Sequence, residues 1–573
     1  MRLGNRKFSI AGLIVLMGTI ALLASACGTS TTNGPTDKAK DQTLKMGWAT
    51  GGGPDITTLD PAQCSDTSCG PLESMLFDGL VTLDKNLNVI PWAAKSLPTI
   101  SSDGLTYTFT LQPNQKFSDG TPVKASDFAW SMDRSANPCL GSQLSYYLST
   151  IKDASAFSGE ACTAGQPVGA ITTLVGDSII PDDSAGTLTI KLAQPAAYFL
   201  AALTYSTSFA VEKSAVTGDD LGKDDTWLDN LAKGATGQGG SGMYYVSAWD
   251  HQGVMTFKAN PNWWGKKPTI TTVDFKLFSS TDTEYSTYQT DQTLAYTDAI
   301  PVDQIAAAKS LPDYHAQATL IIGGFMMNWK VAPFDDVNAR KAFCLAVNRD
   351  QLNQSISKGT QIPNWHVVPK GMPGYNANLK GIDGAPTSGD QTKAKAYWAQ
   401  YLAAHGNKAP PIKLSFNLSS NTAKLSAEAY QATWNQLFGI NATIDQTAWK
   451  TILQQEQAKT LQLYRFGWAA DYPDPEDWLT LLFSTDSPYN EQNASIPEAD
   501  ALMKQADGLA DMSQRIPLYN QAEQMVVDQV AWCPTSQYQN YYRVRTWVKG
   551  GFVQTAQGSF PLPVWQTAYI ANH

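Results

Sequence analysis

Ile412-Lys413-Leu414-Ser415-Phe416-Asn417-Leu418 reads as a strand, and it is followed by a helical stretch from about Thr422 to Phe438, a stop at Gly439 and a second strand pattern over Ile440 to Ile444. A strand, a helix ended by glycine and a second strand make a βαβ unit, which predicts parallel pairing in a sheet covered by helices. Sheets of that kind take ligands in the crevice beyond the carboxyl ends of their strands. The next strand pattern, Leu461-Gln462-Leu463-Tyr464-Arg465-Phe466, runs directly into Gly467-Trp468-Ala469-Ala470-Asp471-Tyr472-Pro473-Asp474-Pro475. That segment is therefore expected at a crevice mouth.

Working outward, period-two alternation predicts strands over Leu105 to Leu111, Thr187 to Leu192 and Val254 to Lys258. Helices are predicted where Ser126 or Asp127 caps Phe128-Ala129-Trp130-Ser131-Met132, and across Lys393 to Ala403. No repeat or heptad run is present, so solenoid and coiled-coil architectures are set aside. A chain of 573 residues exceeds what one hydrophobic core supports, so two or three lobes are expected. With 43% hydrophobic and 16% charged residues, the body is globular and sparsely charged.

Arg2, Arg6 and Lys7 precede an apolar run from Ile10 to Ala24 that closes with Leu23-Ala24-Ser25-Ala26-Cys27, which reads as a signal peptide over 1–26. Cleavage before Cys27 would leave a thiol able to carry a lipid. The motif resembles the bacterial lipobox, with Ala24 where Leu is usual; plain secretory cleavage after Ala26 is the alternative. Residues 27–42 are small and polar, as a flexible tether would be. Loss of 1–26 removes three cations and takes the formal charge from −10 to −13. So acidic a body argues against nucleic acid or an anionic lipid surface as a partner. Of the seven cysteines, six remain after Cys27, an even number suited to an oxidising compartment. Six thiols permit fifteen pairings. Nearness in sequence favours Cys64–Cys69 and Cys139–Cys162, leaving Cys344–Cys533; free, buried thiols remain the alternative.

Six ordered stretches now carry a resemblance: Leu59-Asp60-Pro61, Leu76-Phe77-Asp78-Gly79-Leu80-Val81, Phe117-Ser118-Asp119-Gly120-Thr121-Pro122-Val123, Pro261-Asn262-Trp263-Trp264-Gly265-Lys266-Lys267-Pro268, Pro333-Phe334-Asp335-Asp336 through Asn348-Arg349-Asp350, and Gly467 to Pro475. Together they resemble the family 5 extracytoplasmic solute-binding proteins of ABC importers, which include oligopeptide and dipeptide binders. The resemblance implies a two-lobed α/β periplasmic-binding-protein fold of class II, with a hinge and an additional third domain. It implies lobe I from 43–85, 207–322 and 541–573, the additional domain from 86–206, and lobe II from 323–540. It also implies a protein that hands a peptide to permease subunits, extracytoplasmic and held to the membrane only by its lipid; a monomer with no cofactor and no metal is expected.

By the same resemblance Asp471 anchors the ligand amine, and Gly467 and Ala469 supply main-chain contacts. A carboxylate facing an ammonium makes a charge-assisted bond, and a strand edge binds peptide backbone regardless of sequence. Arg465 matches an arginine that can meet a ligand carboxylate; Trp449 and Trp468 match aromatic positions lining the pocket. The loop Cys64 to Gly70, with Cys69 and Gly70 at its end, aligns with a lobe I strand facing the peptide. Each also has a structural reading: Asp471 as the cap of a turn, the tryptophans as core, Arg465 as partner of an acidic neighbour. Asp471, Asp474, Glu476 and Asp477 lack the alternating ligands and glycine of a calcium loop. Where relatives place further basic groups, this chain has Glu456, His366 and Ala423, which leaves ligand length open. Relatives also take nickel complexes, haem, opines or oligosaccharides, and 17 Trp and 23 Tyr would serve sugars too.

A secreted hydrolase is the rival class. The chain has no Gly-x-Ser-x-Gly, His-Glu-x-x-His or phosphate-loop motif, and its five histidines are scattered, so no enzyme is expected. A peptide-sensing surface receptor on the same fold is the third reading.

Overall fold

The computed structural model describes residues 37–50, 55–216, 221–223, 226–228, 231, 239–251, 253–417 and 421–573. Cys27, the segment 1–26 and most of 27–42 lie outside them. Of the tether expected over 27–42, the described residues from Asp37 on are fastened to the C-terminal segment. Ala39 N–H bonds the Ile570 carbonyl at 2.8 Å and Asn572 N–H the Asp37 carbonyl at 2.7 Å.

An eleven-stranded mixed sheet organises the α/β fold. Its order is Tyr244–Trp249, Val254–Ala259, Thr272–Phe278, Thr43–Ala49, Tyr296–Thr297, Cys533–Val544, Tyr314–Met327, Leu463–Ala469, Lys413–Asn417 and Thr443–Thr447, with Ile362–Pro363 paired to Cys533–Val544. The two longest strands, Tyr314–Met327 and Cys533–Val544, run antiparallel through the middle. Their ladder shifts register between Ala318 and Ile322 and again between Gly323 and Gly324. A β-carbon on Gly324 would meet the Cys533 carbonyl oxygen at 2.1 Å, so only glycine permits that approach.

The βαβ unit forms as its pattern requires. Lys413–Asn417 and Thr443–Thr447 pair in parallel, and Asn421–Phe438 connects them. Ala423, Ala427, Tyr430 and Trp434 face inward at helical spacing, and Gly439 ends the helix at φ +66°. The second strand begins three residues later than its apolar pattern suggests. Asn435 and Gln431 hold the backbone of Ala442, by bonds of 2.7 and 2.8 Å, and delay the chain's entry into the sheet. The strand after it starts at Leu463 and continues through Gly467-Trp468-Ala469 rather than stopping at Phe466.

Away from this sheet, Thr99–Ile100, Thr106–Thr110, Thr187–Lys191 and Ile179–Asp182 form a four-stranded antiparallel sheet. Helix Ala125–Ala136 accompanies it and inserts Phe128, Ala129 and Met132. Neither Ser126 nor Asp127 is its cap: the cap position is Lys124, and Asp127, inside the first turn, accepts from the Lys124 N–H at 2.8 Å. The helix predicted over Lys393 to Ala403 spans Gln391–Ala404.

Two large apolar cores result. One gathers Trp48, Trp227, Trp263, Phe257 and Trp565; the other gathers Phe109, Phe128, Phe325, Phe343, Trp434, Trp478 and Trp532. Polar clamps from the quoted stretches fasten them. Asp78, fully enclosed, accepts the indole N–H of Trp92, Trp263 and Trp264 at 2.7, 2.9 and 2.9 Å. Burial pushes its carboxyl up to about 6, and the three indole bonds oppose a further rise. Asp60 and Arg134 form a buried pair, with one of its bonds at 2.8 Å. Arg349, buried and without an acidic partner among the described residues, lies over Trp365 at 3.3 Å and donates to the carbonyls of Asn364 and Pro534. Disulfides join Cys64 to Cys69, Cys139 to Cys162, and Cys344 to Cys533.

Candidate functional site

Strand Leu463–Ala469 is flanked unequally. On one side Ile321 to Met327 pairs with its whole length; on the other, Lys413–Asn417 reaches only Leu463 and Tyr464. From Arg465 to Ala469 no strand covers that second edge among the described residues. Among the described residues the topology thus leaves a row of backbone groups unpaired by any strand just where the parallel strands end. Gly467 is exposed, and Trp468 and Ala469 are half-buried.

Beyond the strand the chain turns at Ala470 to Asp477. Asp474 is the turn's cap, accepting from Glu476 N–H at 3.0 Å, and its carboxylate is held by Arg515 at 2.8 and 2.9 Å. Asp471 does no such work. Its N–H bonds Asp477 Oδ2 at 3.2 Å, and its carboxylate accepts a short bond from the Tyr147 hydroxyl. No lysine, arginine or histidine pairs with it among the described residues. Desolvation pushes Asp471 up to about 7, against the pull of the Tyr147 bond. Glu476 rises to about 8 through burial and the nearby Asp507, while Asp477 is raised by burial and by Asp471 and Glu476.

Rings wall this acidic turn. Tyr147 stacks on Tyr205 at 4.1 Å, and the Tyr205 hydroxyl reaches the Cys64 carbonyl at 3.5 Å. Tyr472 lies parallel to Tyr198, and Trp468 meets Tyr489 edge-on at 5.6 Å. Gln557, from the C-terminal segment, donates to the carbonyls of Ala470 and Asp471 at 3.2 and 3.1 Å. Three distant parts of the chain thereby meet at Asp471.

Of the residues singled out in the sequence, Arg465, Gly467, Trp468, Ala469 and Asp471 share one strand and turn. Arg465 donates to the Tyr538 hydroxyl at 3.0 Å rather than to an acid. Trp449 opens helix Trp449–Gln457 and is 37% exposed, so it is no part of the core. The loop 64–70 is a series of turns, not a strand; Cys69 is buried beneath it and Gly70 begins helix Gly70–Leu76. It reaches the site through Tyr205. Cys64, Cys69 and Glu73 lie close together, but both sulfurs are spent in the disulfide, so no thiolate is left to bind a metal. Sequence reading missed Tyr147, Tyr205, Tyr489 and Gln557, which no local pattern marks.

The geometry therefore offers a carboxyl group beside a strand edge and inside an aromatic enclosure. The sequence model for bacterial extracellular solute-binding proteins, family 5 Middle, matches residues 88–490. The oligopeptide-binding protein OppA of Bacillus subtilis (strain 168) is 26% identical over 549 residues, covering 94% of this chain and 95% of that protein. The structure of the Escherichia coli murein tripeptide binding protein MppA superposes with a TM-score of 0.80 at 24% identity, covering 94% of this chain and all of that one. The unliganded open form of MppA gives 0.66 at 23% identity, covering 94% of this chain and 99% of that one. Among the described residues no helix is long and apolar enough to cross a membrane. The chain belongs to family 5 of the bacterial extracellular solute-binding proteins, a family of binders and not of enzymes.

Proposed function

We propose that this protein captures short peptides between its lobes, holds their amino terminus on Asp471, and delivers them to the permease of an ABC importer. The observation that carries the reading is the Asp471 carboxylate: desolvated, bonded by one phenol, without a cation, and next to the uncovered edge of Gly467 to Ala469. A ligand ammonium would supply the missing charge, and the edge would take the peptide backbone as an added strand. Arg465 would meet a ligand carboxylate, and Trp468 and Trp449 would flank side chains. Cys69 and Gly70 would close the opposite wall. The names of OppA and MppA support a peptide as solute.

In this reading lobe I comprises 43–85, 207–322 and 541–573, the additional domain 86–206, and lobe II 323–540. With these bounds Tyr314–Met327 changes lobe at 322/323, among its register shifts, and Cys533–Val544 at 540/541, just beside them, which suits a hinge. The better superposition on MppA than on its unliganded open form, together with the Tyr147–Asp471 bond between 86–206 and lobe II, supports a closed arrangement. Closure on a ligand that bridges the lobes shifts an open–closed equilibrium toward the form a permease reads. A lipid on Cys27 would keep the monomer at the outer membrane face.

Mass spectrometry of solute released from the purified protein tests the reading. Intact peptides with free amino termini are expected; a sugar or a metal complex would overturn it.

A further inference from the structure

A second acidic locus lies one aromatic ring away from Asp471. Glu456 sits at the end of helix Trp449–Gln457 and is 5% exposed, and Glu491 follows two residues after Tyr489. Two separate clamps bring these segments together. Asn328 donates to the carbonyls of Lys459 and Leu461, each at 3.0 Å, and accepts from Asn493 at 3.0 Å. On the other flank, Gln457 donates to the Gln143 side chain at 2.6 Å and the Tyr489 hydroxyl to the Gln143 carbonyl at 3.3 Å. The helix end and the 489–493 segment are thereby fixed to one another, and their two carboxyls repel.

Neither Glu456 nor Glu491 has a hydrogen bond or ion pair to its carboxyl among the described residues. Arg465 attracts Glu456 and Lys459 attracts Glu491, yet neither cation reaches contact, and the Arg465 guanidinium is engaged by Tyr538. Burial raises both carboxyls, Glu491 to about 8. Buried acids inside proteins are ordinarily paired or hydrogen-bonded. One this enclosed, clamped on two flanks and left without a partner, is built for a cation that comes from outside. Tyr489 adjoins both loci, since its ring packs against Tyr147, which bonds Asp471, and Glu491 follows it by two residues. A chain whose amine lies on Asp471 would pass that ring within its first residues.

We infer that Glu456 and Glu491 form a subsite for a cationic side chain, so that the solute is a short peptide carrying lysine or arginine near its amino terminus. The inference rests on Asp471 as the amine anchor. Titration calorimetry of the mature protein with Lys-Ala-Ala and Ala-Lys-Ala, each against its norleucine counterpart, tests it, because norleucine keeps the lysine stem without the ammonium. At least one lysine peptide is expected to bind about tenfold or more tightly than its counterpart. Glu456→Gln and Glu491→Gln should each narrow that ratio, whereas Asp471→Asn should weaken all four peptides. Equal or weaker binding of both lysine peptides by the unaltered protein overturns the subsite alone. Failure of all four to bind overturns the amine anchor and the subsite with it.

Discussion

Replacing Asp471 by asparagine keeps the shape of the side chain and a carbonyl for the Tyr147 hydroxyl, but removes the charge that the proposed ligand amine would meet. A hydrogen bond to a charged group contributes about 1.5–3 kcal/mol, so the dissociation constant of a free-amine tripeptide should rise by roughly ten- to hundredfold. The pH profile gives a sharper test. In the ligand-free protein Asp471 titrates near 7, held up by desolvation. At pH 6 about nine-tenths of it carries a proton that must leave before an ammonium can bind, which weakens apparent affinity about tenfold; at pH 5 the factor is about a hundred. The ligand's own α-amine loses its charge above about pH 8, so affinity should peak between the two values. Calorimetry from pH 5 to 9 would trace this bell in the unaltered protein and a flattened acid limb in Asp471→Asn. An asparagine variant with unchanged affinity and an unchanged acid limb would refute the argument.

The ligand-free protein should show an unusual stability profile. Asp471, Asp507 and Glu476 all titrate higher folded than unfolded, near 7, 7 and 8, so their contribution is full below pH 4 and is lost as pH rises through those values. Melting scanned between pH 5 and 8.5 should show a falling Tm; a steady rise would contradict it. Asp78→Ala leaves three indole donors without their acceptor, two of them buried, and should cost roughly 2–6 kcal/mol in urea unfolding. Arg134→Met strands the buried Asp60 carboxylate and should cost about 3–5 kcal/mol by the same measurement, with a change below about 1 kcal/mol counting against an enclosed pair.

The βαβ unit was legible because the apolar period changes from two to 3.6 and back within one short window, with Gly439 marking the change. Boundaries were less so. The delay of the second strand to Thr443 comes from Asn435 and Gln431 gripping Ala442, a contact that no periodicity encodes. The quoted stretches at Asp60, Asp78, Trp263 and Arg349 turn out to be clamps of the interior, since each polar group is buried and bonded to distant chain. Half of the candidate site was readable, because Arg465 to Asp471 are contiguous. The other half was not: Tyr147 and Tyr205 arrive from positions hundreds of residues away and Gln557 from 86 residues beyond Asp471, and only tertiary packing sets them against that turn.

In the two-lobed reading, the paired strands Tyr314–Met327 and Cys533–Val544 would form a crease in place of a swivel. Because hydrogen-bonded rungs continue on both sides of the irregular stretch, bending about the crease is cheap while sliding or twisting would break the ladder. If the lobes move as proposed, a wall swinging on such a crease would return to the same alignment at every cycle, and turnover of cargo would require no search for the docked geometry, only travel along one path.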